Sequence, residues 1–177
     1  MLKHIKYAEC GGNQAMKSVI IYSSKYGTTK TCSQILAQKL TDAEIIDIKE
    51  AEGLLLSGYD TVIIGSSIRV GQINKKIKEF CEENARELLG KNLGLFICST
   101  AQENTERDFT ANFDKNLLAN CRHKAWFGGE LDLKKAKGID KLVIWMVLKM
   151  FEKNENKNFP QINEKNIEEF AKIMSSK

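Results

Sequence analysis

From Ser18 to Met174 the chain alternates short apolar runs with longer stretches of helical period. The runs Ser18–Tyr22 (SVIIY), Glu44–Ile48 (EIIDI), Thr61–Gly65 (TVIIG), Leu93–Cys98 (LGLFIC) and Lys124–Leu131 read as strands. β-branched runs without polar alternation suit strands covered on both faces. Between them, Thr28–Leu40 places Ile35, Leu36 and Leu40 on one helical face. Ile73–Leu89 and Arg107–Asn120 show the same spacing, and Ile139–Phe151 and Glu164–Met174 complete the helices. Strands separated by helices predict parallel β-α-β units, hence an α/β, doubly wound five-stranded parallel sheet of order 2-1-3-4-5. In such sheets ligands sit beyond the carboxyl ends of the strands where the order reverses. The loops after the first, third and fourth strands are therefore where chemistry is expected.

The segment 16–177 reads as one domain. Residues 1–15 are polar, glycine-bearing and without period, so we expect a non-native or disordered extension, with Met16 as the natural start; a real N-terminal arm is the alternative. Among 177 residues, 42% are hydrophobic and 28% charged, which fits a soluble globular chain and not wholesale disorder. The net charge of +4 is short of what a nucleic-acid binder gathers on one face, so no nucleic-acid partner is expected. The five cysteines are widely spaced, no C-x-x-C occurs and only two histidines are present. That argues against a disulfide framework and a metal site, and for the cytoplasm. No apolar run approaches the ~18 residues that span a bilayer.

The first loop, Ser23-Ser24-Lys25-Tyr26-Gly27-Thr28-Thr29, is rich in hydroxyls and leads straight into a helix. Hydroxyls and unpaired N–H groups at a helix N-terminus bind phosphate; the plainer alternative is a helix cap from Thr28 or Thr29. The motifs G-x-x-x-x-G-K-[ST] and G-x-G-x-x-G are both absent, which disfavours a nucleoside triphosphate or a dinucleotide. A monophosphate fits best.

Ser24-Lys25-Tyr26-Gly27-Thr28-Thr29 resembles the phosphate loop of the flavodoxin-like FMN proteins. The resemblance runs from Met16 to about Met174. It implies that Ser24, Tyr26, Gly27, Thr28 and Thr29 hold the FMN phosphate, with Lys25 adding positive potential. The third-strand loop, Gly65-Ser66-Ser67-Ile68-Arg69-Val70-Gly71, resembles one branch in particular, the flavodoxin-domain menaquinone-dependent protoporphyrinogen IX dehydrogenases. By that resemblance Ser66, Ser67, Ile68, Arg69 and Gly71 meet the flavin ring. Arg69 becomes the candidate catalytic residue, pairing with a substrate carboxylate or a flavin carbonyl. Ser99, Thr100 and Gln102 after the fourth strand would meet the pyrimidine end.

Gly128-Gly129-Glu130-Leu131-Asp132, followed by the basic apolar stretch 139–151, resembles the same branch. Between Ser99 and Asn120 the chain is shorter and of mixed charge where that branch carries a basic insertion. The expected function is FMN-dependent oxidation of protoporphyrinogen IX with electron transfer to a quinone. A flavodoxin that carries electrons between redox proteins and an NAD(P)H-dependent quinone reductase are the alternatives. Residues 134–153 carry six lysines and two acids, which matches attraction to the anionic inner face of the cell membrane.

Overall fold

In β1 (Ser18–Ser23), Val19, Ile20 and Ile21 have no solvent exposure, because helices cover both faces of this central strand. The computed structural model describes residues 17–130, 145, 149 and 161–176. The extension 1–15 and nearly all of the 139–151 helix lie outside the described residues. Of that helix, Trp145 and Lys149 are described as helical and exposed, with the Lys149 Nζ 4.2 Å from the Trp145 ring centre.

The other strands are β2 (Ala43–Asp47), β3 (Thr61–Ser67), β4 (Asn92–Cys98) and β5 (His123–Trp126). All pair in parallel in the order β2-β1-β3-β4-β5. The expected α/β sheet order is the observed one. Alternation along the strands divides the core. Val19, Ile21, Val62, Ile64, Leu95 and Ile97 face one side, and Ile20, Ile63, Phe96 and Cys98 the other.

The first side is covered by α2 (Lys75–Glu83), α3 (Ala85–Leu88), α4 (Thr105–Asn112) and α5 (Lys115–Asn120). The second is covered by α1 (Thr28–Lys39) and the C-terminal helix α6 (Glu164–Ser175). There Phe96 stacks on Phe127 at 4.4 Å, and Phe127 meets Phe170 edge-on at 5.2 Å. Gly65 leaves the space that the Phe96 ring fills; a Cβ there would run into it.

Two expected helices are each broken in two. At Asn84 the backbone leaves helical geometry, and its side-chain amide bonds back to the Phe80 carbonyl. Ile73 lies before α2 rather than in it, and Asn74 caps α2 through its side chain. At Phe113 the chain extends, and Asp114 caps α5 by accepting the Asn116 N–H. The expected strand 124–131 ends at Trp126. Gly128 then turns at φ 84° and bridges Ile162.

Candidate functional site

The loops after β1, β3 and β4 open onto one cavity of about 340 Å³ at the carboxyl end of the sheet. Ser24, Lys25, Tyr26, Thr28, Thr29, Ser67, Ile68, Arg69, Gly71, Ser99 and Thr100 line it, so most of the candidate residues converge. Gly27 does not line it but shapes the loop. Ser66 is buried beneath, its hydroxyl accepting the Asn74 N–H. Gln102 begins a 3-10 turn and faces a different depression, with His123 and Trp126.

In the first loop, Gly27 is the N-cap of α1 at φ 98°, a left-handed conformation that disfavours a side chain. Its N–H is satisfied by the Ser24 hydroxyl at 3.1 Å. No side chain caps α1, so neither Thr28 nor Thr29 does so; both are its first helical residues. The first-turn amides of a helix have no intrahelical acceptor, and here no acid occupies that turn. Two hydroxyls are also left over: Thr29 Oγ1 and Tyr26 Oη are buried without a hydrogen-bond partner.

Thr29 is fully buried at the cavity floor beside Cys98. Its hydroxyl pulls the Cys98 pKa down, although the contact is too poor in geometry to count as a hydrogen bond. The hydrogen bond to Cys32 and burial dominate and hold the Cys98 thiol well above its usual value. The two sulfurs lie 3.7 Å apart. Cys98 is thus a protonated core thiol, not a nucleophile.

The second loop is a tight hairpin. Arg69 and Gln72 exchange backbone hydrogen bonds of 2.8 and 2.9 Å around Val70 and Gly71, whose φ angles are 48° and 74°. Left-handed geometry at both central residues makes this a type I′ turn. Gly71 accepts it readily, whereas a β-branched valine is strained there. Val70 is also fully exposed at the cavity mouth.

Buried Asn112 of α4 clamps this hairpin. Its amide donates to the Gly71 carbonyl at 2.8 Å and its oxygen accepts the Ile73 N–H at 2.9 Å. Replacing Asn112 with leucine strands the buried Ile73 N–H, at a cost of about 1–3 kcal/mol. Hydrogen exchange should then quicken at residues 71–73 while β1 stays protected. Unchanged exchange there would show that the clamp does not hold the loop.

In the third loop, the Ser99 N–H donates to the Gly128 carbonyl, and the Trp126 indole donates to the Ser99 carbonyl at 2.9 Å. The cavity also takes in Asn104, Arg107 and Asp108, which the sequence does not mark as site residues, and Gly129 and Glu130 of the Gly128–Asp132 motif. Asp108 is buried, with Arg107 Nη2 3.1 Å from its Oδ1. An acid on the buried face of α4, next to the core residue Phe109, was the available signal. Lys25, Arg69 and Arg107 thus line the cavity together with two acids, Asp108 and Glu130, so the count of charges favours an anion.

The flavodoxin domain model matches residues 19–158. The chain belongs to this family. The chain is 24% identical over 151 residues to a protoporphyrinogen IX dehydrogenase [quinone] of Leishmania major, covering 78% of this chain and 64% of that protein. It therefore spans just under two thirds of that relative's length. It is also 24% identical over 145 residues to the protein of that name from Escherichia coli K12, covering 76% of this chain and 80% of that one.

A flavoprotein of Lactobacillus acidophilus solved with FMN has the same fold, with a TM-score of 0.52 and 17% identity, over 63% of this chain and 93% of that one. A flavodoxin of Streptococcus pneumonia TIGR4 superposes with a TM-score of 0.50 and 17% identity, over 89% and 97%. Among the described residues, no group of His, Cys, Asp and Glu could hold a metal ion, and no helix is long and apolar enough to cross a membrane.

Proposed function

We propose that this flavodoxin-domain protein binds FMN and is an oxidoreductase. The observation that carries the reading is the pair of buried, unpartnered hydroxyls, Thr29 Oγ1 and Tyr26 Oη, in a loop opening a helix N-terminus. Buried polar groups are seldom left unpaired, and here a phosphate would satisfy them. Ser24, Tyr26, Thr28, Thr29 and the Gly27 backbone would hold the phosphate. Ser67, Ile68, Arg69, Gly71, Ser99 and Thr100 would border the ring. Bound FMN supplies the electron-accepting ring, and the protein supplies orientation and charge. N–H groups of the first turn of α1 and the Arg69 side chain would favour the anionic parts of the ligand.

The substrate pair we favour is protoporphyrinogen IX and a quinone, supported by the names of the two relatives above. Anaerobic incubation of FMN-loaded protein with protoporphyrinogen IX and menaquinone should yield protoporphyrin. Turnover with NAD(P)H and quinone but not with porphyrinogen would make it a quinone reductase. The exposed apolar Val70 at the cavity mouth favours a second reading, electron delivery to a docked redox protein.

A membrane-borne quinone requires visits to the bilayer. Residues 134–153 carry six lysines against two acids. We expect weak binding to anionic vesicles that falls with salt, each lysine contributing about 1 kcal/mol. Changing Lys134, Lys135, Lys137 and Lys141 to glutamine should abolish co-sedimentation without loss of FMN. Equal, negligible binding to anionic and neutral vesicles would remove the membrane role.

A further inference from the structure

Asp108, in the first turn of α4, is only 2% exposed, yet it lines the cavity. Burying a carboxylate is costly unless it is paired and hydrogen-bonded. Arg107 supplies part of that pairing, with Nε and Nη2 at 3.3 and 3.1 Å from Asp108 Oδ1. Both contacts fall on one oxygen, and among the described residues no other donor bonds to this carboxylate. A carboxylate has about four acceptor sites over its two oxygens. Asp108 can therefore accept from a ligand while Arg107 stays bound to Oδ1. Its place is also fixed. The Asn112 amide, one turn on, donates to the Asp108 carbonyl at 2.7 Å and to the Gly71 carbonyl at 2.8 Å, which ties this part of α4 to the β3 hairpin. α4 and α1 pack on opposite faces of the sheet, so Asp108 and the N-terminus of α1 reach the cavity from opposite sides.

We propose that Asp108 reads the ring end of the cofactor, its carboxylate accepting a hydrogen bond from the N–H of the flavin's pyrimidine ring. The proposal rests on the FMN-binding reading and deepens it. A carboxylate repels a phosphate, so Asp108 suits the end of the ligand away from the α1 amides. The oxidised flavin ring is neutral, and its pyrimidine edge sets one N–H between two carbonyls. The carbonyls can take donors, which the hydroxyls and guanidinium groups of the cavity residues supply. The N–H needs an acceptor, and a bond to a carboxylate is roughly twice as strong as one to a neutral group. Among the described residues that line the cavity, the carboxylates are Asp108 and Glu130. Glu130 is exposed, whereas Asp108 is buried and held by its neighbours. A buried, fixed acceptor selects a ligand with a donor at one position, because any other ligand leaves it unsatisfied.

The discriminating ligand is N3-methyl-FMN, in which a methyl group replaces that one hydrogen. FMN and N3-methyl-FMN would be titrated into ligand-free wild-type, Asp108→Asn, Asp108→Ala and Glu130→Ala proteins, following flavin fluorescence. Wild type should prefer FMN by about tenfold or more, the scale of a hydrogen bond to a charged group. Asp108→Asn keeps the shape but offers a weaker acceptor, so its preference should shrink. Asp108→Ala, a residue well suited to a helix, should show almost none. Thermal unfolding without ligand checks that each variant is folded, and the wild-type comparison stands without any variant. Equal affinity of wild type for the two flavins would overturn the proposal. So would an Asp108→Asn protein that discriminates as wild type does, since shape alone would then explain the preference. Asp108 variants that lose FMN and N3-methyl-FMN to the same extent would place the carboxylate on another donor, such as a ribityl hydroxyl. Loss of the preference in Glu130→Ala but not in the Asp108 variants would move the acceptor to Glu130; both outcomes overturn the assignment. A wild-type protein that takes up neither flavin would instead overturn the cofactor reading, so the two failures are distinct.

Discussion

Replacing Thr29 with valine will weaken FMN binding by tenfold or more, about 1.4 kcal/mol, while leaving the ligand-free fold as stable as before or more so. The two effects have opposite signs because the hydroxyl has no hydrogen-bond partner within the protein. A buried unpaired polar group costs about 1–3 kcal/mol, which valine of nearly the same shape removes. The same substitution removes the donor that a phosphate would accept. Glutamate at this position would be a poor test, since Thr29 is fully buried and a carboxylate there would break the packing of α1 on the sheet. Thermal unfolding without ligand and FMN titration measure the two halves separately. Wild-type FMN affinity in both Thr29→Val and Tyr26→Phe would mean that the leftover hydroxyls are not phosphate ligands.

Replacing Arg69 with alanine will lower kcat/KM for porphyrinogen by roughly tenfold to hundredfold, the loss of one charge-assisted hydrogen bond of about 1.5–3 kcal/mol. FMN occupancy should fall far less. The hairpin should survive, because its hydrogen bonds run between the backbones of Arg69 and Gln72 and Asn112 holds the following residues. Arg69 lines the cavity, so its loss acts on the substrate more than on the fold. Steady-state kinetics beside an FMN titration separates the two. A variant with wild-type kinetics would leave Arg69 as an ordinary loop residue.

The sheet was legible because its strands are buried on both faces, so Val19–Ile21 and Val62–Ile64 read as unbroken β-branched runs. The hydroxyl-rich loop was legible for the opposite reason, since polar residues crowd where a helix start needs only one cap. The helix breaks at Asn84 and Phe113 were not legible. Apolar spacing continues across both, and the capping side chains of Asn74 and Asp114 look like ordinary surface residues in sequence.

The turn at Val70-Gly71 was hidden too, because a valine at φ 48° is not the residue that a type I′ turn demands. The course of the third loop is equally hidden from local pattern. A 3-10 turn carries Gln102 outward to His123 and Trp126, and brings Asn104, Arg107 and Asp108 to the cavity. Short turns of this kind are decided by packing between loops, which no local pattern encodes.

The most direct measurement is titration of the purified, ligand-free protein with FMN, followed by flavin fluorescence and by thermal unfolding. Binding should saturate at one FMN per chain, quench the flavin, and raise the unfolding temperature with ligand concentration as mass action requires. Thr29→Val should shift the curve to higher FMN. A wild-type protein whose unfolding temperature and flavin signal do not respond to FMN would contradict the phosphate-loop reading, and with it the proposed oxidoreductase.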